Sequence, residues 1–497
     1  MRKMTIGLGA IALAALGGAA QAGTLWIANM TGGKENPPNN STFTGTGFVV
    51  LNTAETAASV TATHNIPANQ LTGGHIHRGA LNVNGPIIVP FPNPASPIGP
   101  IPWAIPAADV ANLKAGAIYM NIHTAAFPGG VIRDQFARVV FASAAATPSQ
   151  KSAADALDVS AGLAADLDQV LFAMAVLPAG AQAAALADLS GDTLYAQGRQ
   201  SAESLYGFQE SILQHAETGV PAAEGVGVFG ALDAQWGRRD ARDGQAKAKV
   251  RSHSILAGVH YAWAAGQAAG VAVGYADSRD KFRGGRGETE AKTTSIQGFV
   301  SVGERVRATA VAGYGKTDLD TERNLPSLAR TARSSPDASA WGVAGKISAP
   351  MPVGTGMTLS PYAQLDWQRA RVDGYVESGA GAVGLIVPKH TYETTAAELG
   401  AALTVPFGGG TGAWTARLQA GWRRLLDDGS DTLPLAFIGS PVGFTQKIGD
   451  PGRNAAHVDA SIRGALGPRL TASAGYRGLI GQHGDVHAVQ VRLAYAM

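Results

Sequence analysis

From about Gly225 to Met497 the chain alternates apolar residues with small or polar ones, in segments of roughly ten to fifteen residues separated by glycine, aspartate and arginine clusters. In "SILAGVHYAW" the residues Ile255, Ala257, Val259, Tyr261 and Trp263 share one face, and in "SPYAQLDWQRA" Pro361, Ala363, Leu365 and Trp367 oppose Tyr362, Gln364, Asp366 and Gln368. The last segment, "HAVQVRLAYAM", sets Val489, Val491, Leu493, Tyr495 and Met497 against Gln490, Arg492, Ala494 and Ala496. Period-two alternation of this kind makes strands with one apolar and one polar face. A soluble sandwich alternates too, but a run of about 250 residues with no visible second core fits a transmembrane β-barrel better. Twelve or thirteen segments qualify as strands, and single-chain bacterial barrels use even numbers, so twelve are expected. Tyr261, Trp263, Tyr275, Tyr314 and Trp422 near segment ends suit the interfacial aromatic girdles.

Two other patterns precede this one. From Thr24 to about Ser143 short alternating runs such as "TFTGTGFVVL" and "AASVTATHNI" are broken by proline, asparagine and glycine, which predicts a compact all-β domain. Residues 144–224 then turn rich in alanine and leucine with spaced aspartates, and helices are expected there. Pro178 and Gly180 divide the helical stretch and Asp168 and Asp188 bracket its most apolar part, so that part is not read as a membrane span. A further helix is expected from about Thr193 to Glu217. At 1.5 Å per residue such a helix reaches roughly 37 Å, enough to thread a membrane-spanning channel.

Composition narrows the class. The 497 residues carry a net charge of +2 and no cysteine. Near-neutrality, with no basic stripe, argues against a nucleic-acid partner. The absence of cysteine argues against a disulfide-stapled secreted module and removes any site for N-terminal lipid attachment. The first residues, "MRKMTIGLGAIALAALGGAAQAG", run from Arg2-Lys3 through an apolar stretch to Ala20-Gln21-Ala22, the order of a cleavable secretory signal peptide with cleavage expected after Ala22. An exported, cysteine-free, glycine-rich chain suits a bacterial envelope protein.

Two resemblances sharpen this. The run "AAALADLSGDTLYAQG" (183–198), with Leu189, Ser190, Gly191 and Asp192 ahead of a helix and a C-terminal barrel, resembles the translocator unit of classical (type V) autotransporters. The resemblance implies a twelve-stranded outer-membrane barrel with a helix lodged in its lumen and an N-terminal passenger carried to the cell surface. Terminal strands of that family usually end in an aromatic residue, whereas Met497 stands here, although Tyr495, Leu493, Val491 and Val489 keep the alternation. Many members cleave themselves at paired asparagines near the lumenal helix. Residues 190–225 contain no asparagine, so the passenger is expected to stay attached. The N-terminal segment in turn resembles the chordin-type (CHRD) family through Glu35-Asn36-Pro37-Pro38, His75-Ile76-His77, Asn84-Gly85-Pro86 and the run from Tyr119 to Arg133. Where that family commonly has glutamate and glycine around the final Ile-Arg, this chain has Val131 and Asp134, so a carboxylate role at 131 does not carry over.

The candidate chemistry lies in three histidines. On an extended strand His75 and His77 project to one face with Ile76 turned away, and His123 sits on a second strand-like run, "YMNIHTAAFPGGVIRDQ". Neutral imidazoles suit copper or zinc, and a His-x-His pair can offer two nitrogens to one ion. The pattern is locally similar to that of the copper-zinc superoxide dismutases. His64 is a weaker candidate for a fourth ligand. The alternative is a polar cluster fastening two strands, with Arg78, Asn121 and Thr124 as partners. "GAGAVG" (379–384) satisfies a dinucleotide-type glycine pattern but is followed by Leu385-Ile386-Val387-Pro388 within the barrel segment, and is read as a loop.

The expected organisation is therefore mainly β: a signal peptide (1–22), an all-β, sandwich-like CHRD passenger (23–143), an α-helical linker and pore helix (144–224) and a transmembrane barrel (225–497). The expected function is display of a small binding or adhesion module on the bacterial cell surface, without enzymatic activity. The alternative is a metal-binding passenger using His75, His77 and His123 with copper or zinc, extending to a metal-dependent enzyme. Expected partners are the outer-membrane lipid bilayer, the barrel-assembly machinery and periplasmic chaperones during biogenesis, and an extracellular protein ligand.

Overall fold

The computed structural model describes residues 23–220, 224–408, 414–427, 432–448 and 452–497, so the expected signal peptide lies outside the described residues. The chain divides into two compact units. One holds the N-terminal residues to Val139 together with Leu157–Ala175, and the other holds Val140–Ala156 and everything from Val176 onward.

The N-terminal unit is built on one curled sheet. Its strands are β1 (Gly23–Thr31), β2 (Thr44–Asn52), β3 (Ala58–His64), β4 (Leu71–Arg78), β5 (Ile87–Pro90), β6 (Ile98–Trp103), β7 (Ile118–Thr124), β8 (Phe127–Gln135) and β9 (Ala137–Arg138), with helix α1 (Ala107–Lys114) between β6 and β7. The strand order is β5-β4-β7-β8-β1-β2-β3-β6, with β9 also paired to β1. Val60 and Ile98 from one end of this order join Ile76, Ile122 and Val89 from the other in a single apolar core, so the sheet folds over on itself like a sandwich.

Residues of helix α2 (Pro148–Leu157) belong mostly to the barrel unit, whereas α3 (Ala165–Ala175) belongs to the N-terminal unit. There the Phe172 ring stacks on Phe48 at 4.4 Å between centroids, and a bridge joins Gly23 to Ala161. Helix α4 (Ala179–Leu189) starts directly after Pro178, where the sequence demanded a break. No helix among the described residues is long and apolar enough to cross a membrane.

In the second unit twelve long antiparallel strands close into a barrel. They are Gly225–Arg239, Ala248–Ala264, Gln267–Phe282, Gly287–Val302, Arg307–Leu325, Asp337–Ser348, Thr358–Val372, His390–Phe407, Trp414–Leu425, Asn454–Ala465, Leu470–Gly481 and Gly484–Ala496. The last pairs with the first (Val228 opposite Tyr495), which leaves no open edge. Ile255, Val271, Val273, Ile296, Val343, Leu365, Leu399 and Leu418 are each about half exposed on the outside. Their inward neighbours Gln297, Gln364, Asp366, Gln368 and Glu398 are buried. An apolar belt around a polar interior is what a hydrocarbon solvent selects. Trp341, Trp422, Tyr261 and Tyr275 stand exposed on the outer surface.

Helix α5 (Tyr195–Thr218) fills the lumen as expected. Polar residues face it all round: Gln368 Nε2 donates to Gln209 Oε1 (2.6 Å), Gln364 Nε2 to Glu210 Oε2 (3.0 Å), Arg239 Nη2 to Glu203 Oε2 (2.6 Å) and Lys346 Nζ to Glu217 Oε2 (3.1 Å). The Leu189–Asp192 run turns the chain from α4 into this helix. Asp192 and Asp188 both pair with Arg286 (2.6 and 3.3 Å), and the Tyr195 hydroxyl donates to the Ala246 carbonyl. The longest connections lie at this end, and one pair of them builds a small extra sheet from Tyr375–Val376, Leu385–Val387, Thr432–Phe437 and Gly443–Lys447. That sheet was not visible in the sequence pattern. Connections at the other end, such as Val302–Arg307 and Ala465–Leu470, are short. Short turns face the periplasm and long loops face outward in barrels of this kind.

Candidate metal centre

Strand pairing places the three histidines. On the β4–β7 ladder His75 lies opposite Asn121, His77 opposite Tyr119 and Gly73 opposite His123, and on β7–β8 Asn121 lies opposite Arg133. Cross-strand partners share a face, so His75, His77, Tyr119, Asn121, His123 and Arg133 all stand on the side of the sheet away from Ile76, Met120 and Ile122. One candidate ligand atom from each of the three histidines lies within 4.8 Å of the other two. The ring centroids of His75 are 5.5 Å from His77 and 5.1 Å from His123.

The surroundings fix two of the three tautomers. His77 Nδ1 donates to the Gly85 carbonyl (2.9 Å), which leaves Nε2 a bare acceptor, buried and without a partner. His123 Nδ1 donates to the Pro128 carbonyl (2.9 Å), so its Nε2 is also an acceptor, and the Asn121 amide 3.1 Å away donates to it when turned nitrogen-first. His75 Nδ1 is buried with no partner. Carbonyls gripping the remote N–H are the supports that orient metal-binding imidazoles. All three rings are held neutral. Burial, then the charges of His123 and His77, lower His75 to about 4. Burial likewise lowers His77 and His123, partly offset by their carbonyl partners.

A lid explains why polar groups on an outer face are buried. The loop 79–86 closes over the sheet: Arg133 Nη1 donates to Asn84 Oδ1 (2.9 Å), Arg133 Nη2 to the Val83 carbonyl (3.0 Å), and Gly85 N–H to the Tyr119 hydroxyl (3.2 Å). The Asn36 side chain donates to the Asn82 carbonyl (2.7 Å) and Asn84 to the Asn36 carbonyl (2.8 Å), tying this loop to the Glu35–Pro38 segment. Arg133 lies 3.4 Å over the Tyr119 ring, which stacks on His77 at 4.8 Å. A Cβ on Gly85 would collide with the Arg78 carbonyl, so the loop approaches the strand as closely as only glycine allows. Glu35 is 4% exposed, packs where a side chain on Gly130 would stand, and has one carboxylate oxygen without a partner. Burial pushes its carboxyl up to about 7 against the pull of Arg133 and the Asn36 N–H.

Other sequence candidates lie elsewhere. Both ring nitrogens of His64 are engaged, by the Pro94 carbonyl (2.8 Å) and the Ile66 N–H (3.2 Å), and His64 is no member of the histidine group. Arg78 pairs with Asp109 (2.6 Å) instead of with a histidine. Thr124 Oγ1 accepts the Phe127 N–H (3.2 Å) at the β7–β8 turn. The glycines of 379–384 form a turn in the outward loops. In the sequence Glu35 and Tyr119 are motif positions with no role of their own. Their only signal was membership of those motifs, because burial and stacking depend on the lid.

Comparison with known proteins completes the picture. A family model described as the autotransporter beta-domain matches residues 228–477, and one described as the CHRD domain matches residues 26–136. A search of curated protein sequences found no match. Among solved structures, the translocator domain of autotransporter NalP from Neisseria meningitidis is 14% identical with a TM-score of 0.49, covering 61% of this chain and 99% of that one. The beta domain of the Bordetella autotransporter BrkA is 14% identical with a TM-score of 0.44, covering 55% of this chain and 100% of that one. The transport unit of AIDA-I from Escherichia coli is 12% identical with a TM-score of 0.42, covering 59% of this chain and 98% of that one. The autotransporter model spans half of the chain and falls on the closed twelve-stranded barrel, and the CHRD model falls on the N-terminal β domain. The chain belongs to the autotransporter family, as an outer-membrane β-barrel carrying a CHRD passenger domain.

Proposed function

We propose that the chain displays its CHRD domain outside the cell as a metal-binding module, with His75, His77 and His123 as ligands for copper or zinc. The observation carrying this reading is that three neutral imidazoles converge while two of them have the remote N–H fixed by a carbonyl. His75 and His123 are only partly buried, so a fourth position is open to water or to a group from a partner. Display is supported by α5, whose N-terminal end joins the long-loop side of the barrel, so that the linker leaves outward. Export begins with a signal peptide at 1–22, and periplasmic chaperones and the barrel-assembly machinery bring residues 225–497 into the bilayer. The passenger runs from 23 to 143, with 144–224 as linker and pore helix.

Elemental analysis of the purified full chain after incubation with copper or zinc, beside His77→Ala, tests the site. One equivalent in the wild type and far less in the variant is expected. No stoichiometric metal in the wild type would refute the assignment. Protease shaving of intact cells tests display, and a passenger that resists shaving until the outer membrane is breached would refute it. Adhesion is a second reading, favoured by Leu81 (71% exposed), Val83 and Ile87 (both 51%), which stand out on and beside the lid.

A further inference from the structure

At the short-turn end of the barrel, beside the C-terminal turn of α5, the lumen holds a cavity of about 290 Å³. Its wall carries four guanidinium groups, those of Arg307, Arg417, Arg463 and Arg492, against a single carboxylate, Glu217. Arginine keeps its charge at any relevant pH, so this imbalance cannot be relieved by proton loss. Glu217 is already committed: its Oε2 accepts from Lys346 (3.1 Å) and Arg417 (2.6 Å), and its main-chain carbonyl accepts from Arg307 Nη1 (2.8 Å). Arg492 donates to the side-chain oxygens of Gln214 and Gln490, and the adjoining carboxylate Asp459 accepts from the amides of those same two glutamines. Arg463 reaches into the cavity from the strand Asn454–Ala465, and its guanidinium forms no ion pair or hydrogen bond among the described residues.

An unpaired guanidinium beside three others inside a sheet whose outer face meets hydrocarbon generates a field that water screens only in part. Ser360, Ser461 and Ser473 add hydroxyl groups to the same wall. Planar N–H forks at several angles, supplemented by hydroxyls, match the edges of a tetrahedral oxyanion, and the volume exceeds the roughly 30 Å³ that each accompanying water needs. We propose that this cavity binds a small doubly charged oxyanion of the phosphate or sulfate class. The anion bridges Arg463 and Arg492 on the wall to the cations that hold Glu217, and so fastens the C-terminal turn of the plug helix to the barrel.

The test uses the full chain folded in detergent, at constant ionic strength, with sodium phosphate, sulfate or chloride. Calorimetric titration measures phosphate binding, and loss of heat-modifiable gel mobility measures the unfolding temperature. Saturable phosphate binding near one equivalent is expected, with an upward shift in unfolding temperature that chloride does not reproduce. Arg463→Gln weakens phosphate binding about tenfold, while Arg369→Gln on the outside of the barrel leaves it unchanged. Equal responses to phosphate and chloride would overturn the proposal, as would equal phosphate affinity in the Arg463→Gln and Arg369→Gln proteins. Should Arg463→Gln fail to fold, the comparison of phosphate with chloride in the wild type decides alone.

Discussion

Acidification separates a preorganised three-histidine site from three ordinary surface histidines. A metal competes with protons for each imidazole, and an unperturbed histidine titrates near 6.5. Between about pH 7.5 and pH 5.5, each such ring weakens metal binding about tenfold, so three unperturbed rings weaken it about a thousandfold. Here His75 is held down at about 4. At about pH 5.5 it is protonated in only a few per cent of molecules and contributes almost nothing to the loss. His77 and His123 are lowered as well, so together they cost less than the hundredfold that two ordinary rings would. The expected weakening is therefore less than about a hundredfold. The assay is competition of the detergent-solubilised chain against a chromophoric chelator at both pH values, corrected for the chelator's own titration. Thousandfold weakening, with an uptake of three protons per metal released, would show that the rings are not held neutral and would refute the reasoning.

Other predictions follow from the same contacts. Without metal, the three rings bind more protons in the unfolded chain than in the native one below the ordinary histidine value near 6.5, a loss of stability as pH falls toward 4. Glu35, raised to about 7, partly offsets that loss, so a Glu35→Gln chain should lose stability with acid more steeply than the wild type. Added metal should raise the melting temperature most at about pH 6.5 and above and so steepen the fall in a thermal melt, because metal-bound rings take up no protons. Gly85→Ala drives a methyl group into the Arg78 carbonyl and should cost about 1–3 kcal/mol in a denaturant titration of the passenger. It should also weaken metal binding, because the Gly85 carbonyl aims His77. Inside the barrel, Arg423→Met removes the two hydrogen bonds to Asp366 (2.6 and 2.7 Å) and strands a buried carboxylate, a loss of about 3–5 kcal/mol that the paired change Asp366→Leu should largely restore, read from heat-modifiable mobility. On the outer face, Ile296→Arg should destabilise the folded barrel by about 2–4 kcal/mol in a bilayer, whereas Ile296→Leu should not.

Much of the architecture was legible because the two faces of each barrel strand meet opposite solvents. Leu365 faces lipid and Asp366 faces the lumen, so period-two alternation survives at nearly every position. The lumenal helix was legible from its length and position. In the passenger, alternation put His75 and His77 on one face, but nothing local revealed the register that sets His123 diagonally beside His75. Register depends on pairing between segments that are remote in the chain. The lid was hidden for the same reason: its hydrogen bonds join Asn36 to Asn84 and Arg133 to Val83, contacts that no single window contains. His64 illustrates the converse, since a histidine on a strand of the right kind was claimed by a nearby carbonyl.

The Phe48–Phe172 stack bears on how the passenger could be shed. The chain leaves the N-terminal unit after Val139 and returns to it for Leu157–Ala175, where Leu167, Leu171 and Met174 are fully buried. A nick between those two stretches would cut the covalent thread without freeing the domain, because α3 would keep its grip on β2 from the far side of the cut. Only a scission beyond Ala175 detaches the compact N-terminal unit whole, and a fragment prepared for study in isolation should carry that part of the linker with it.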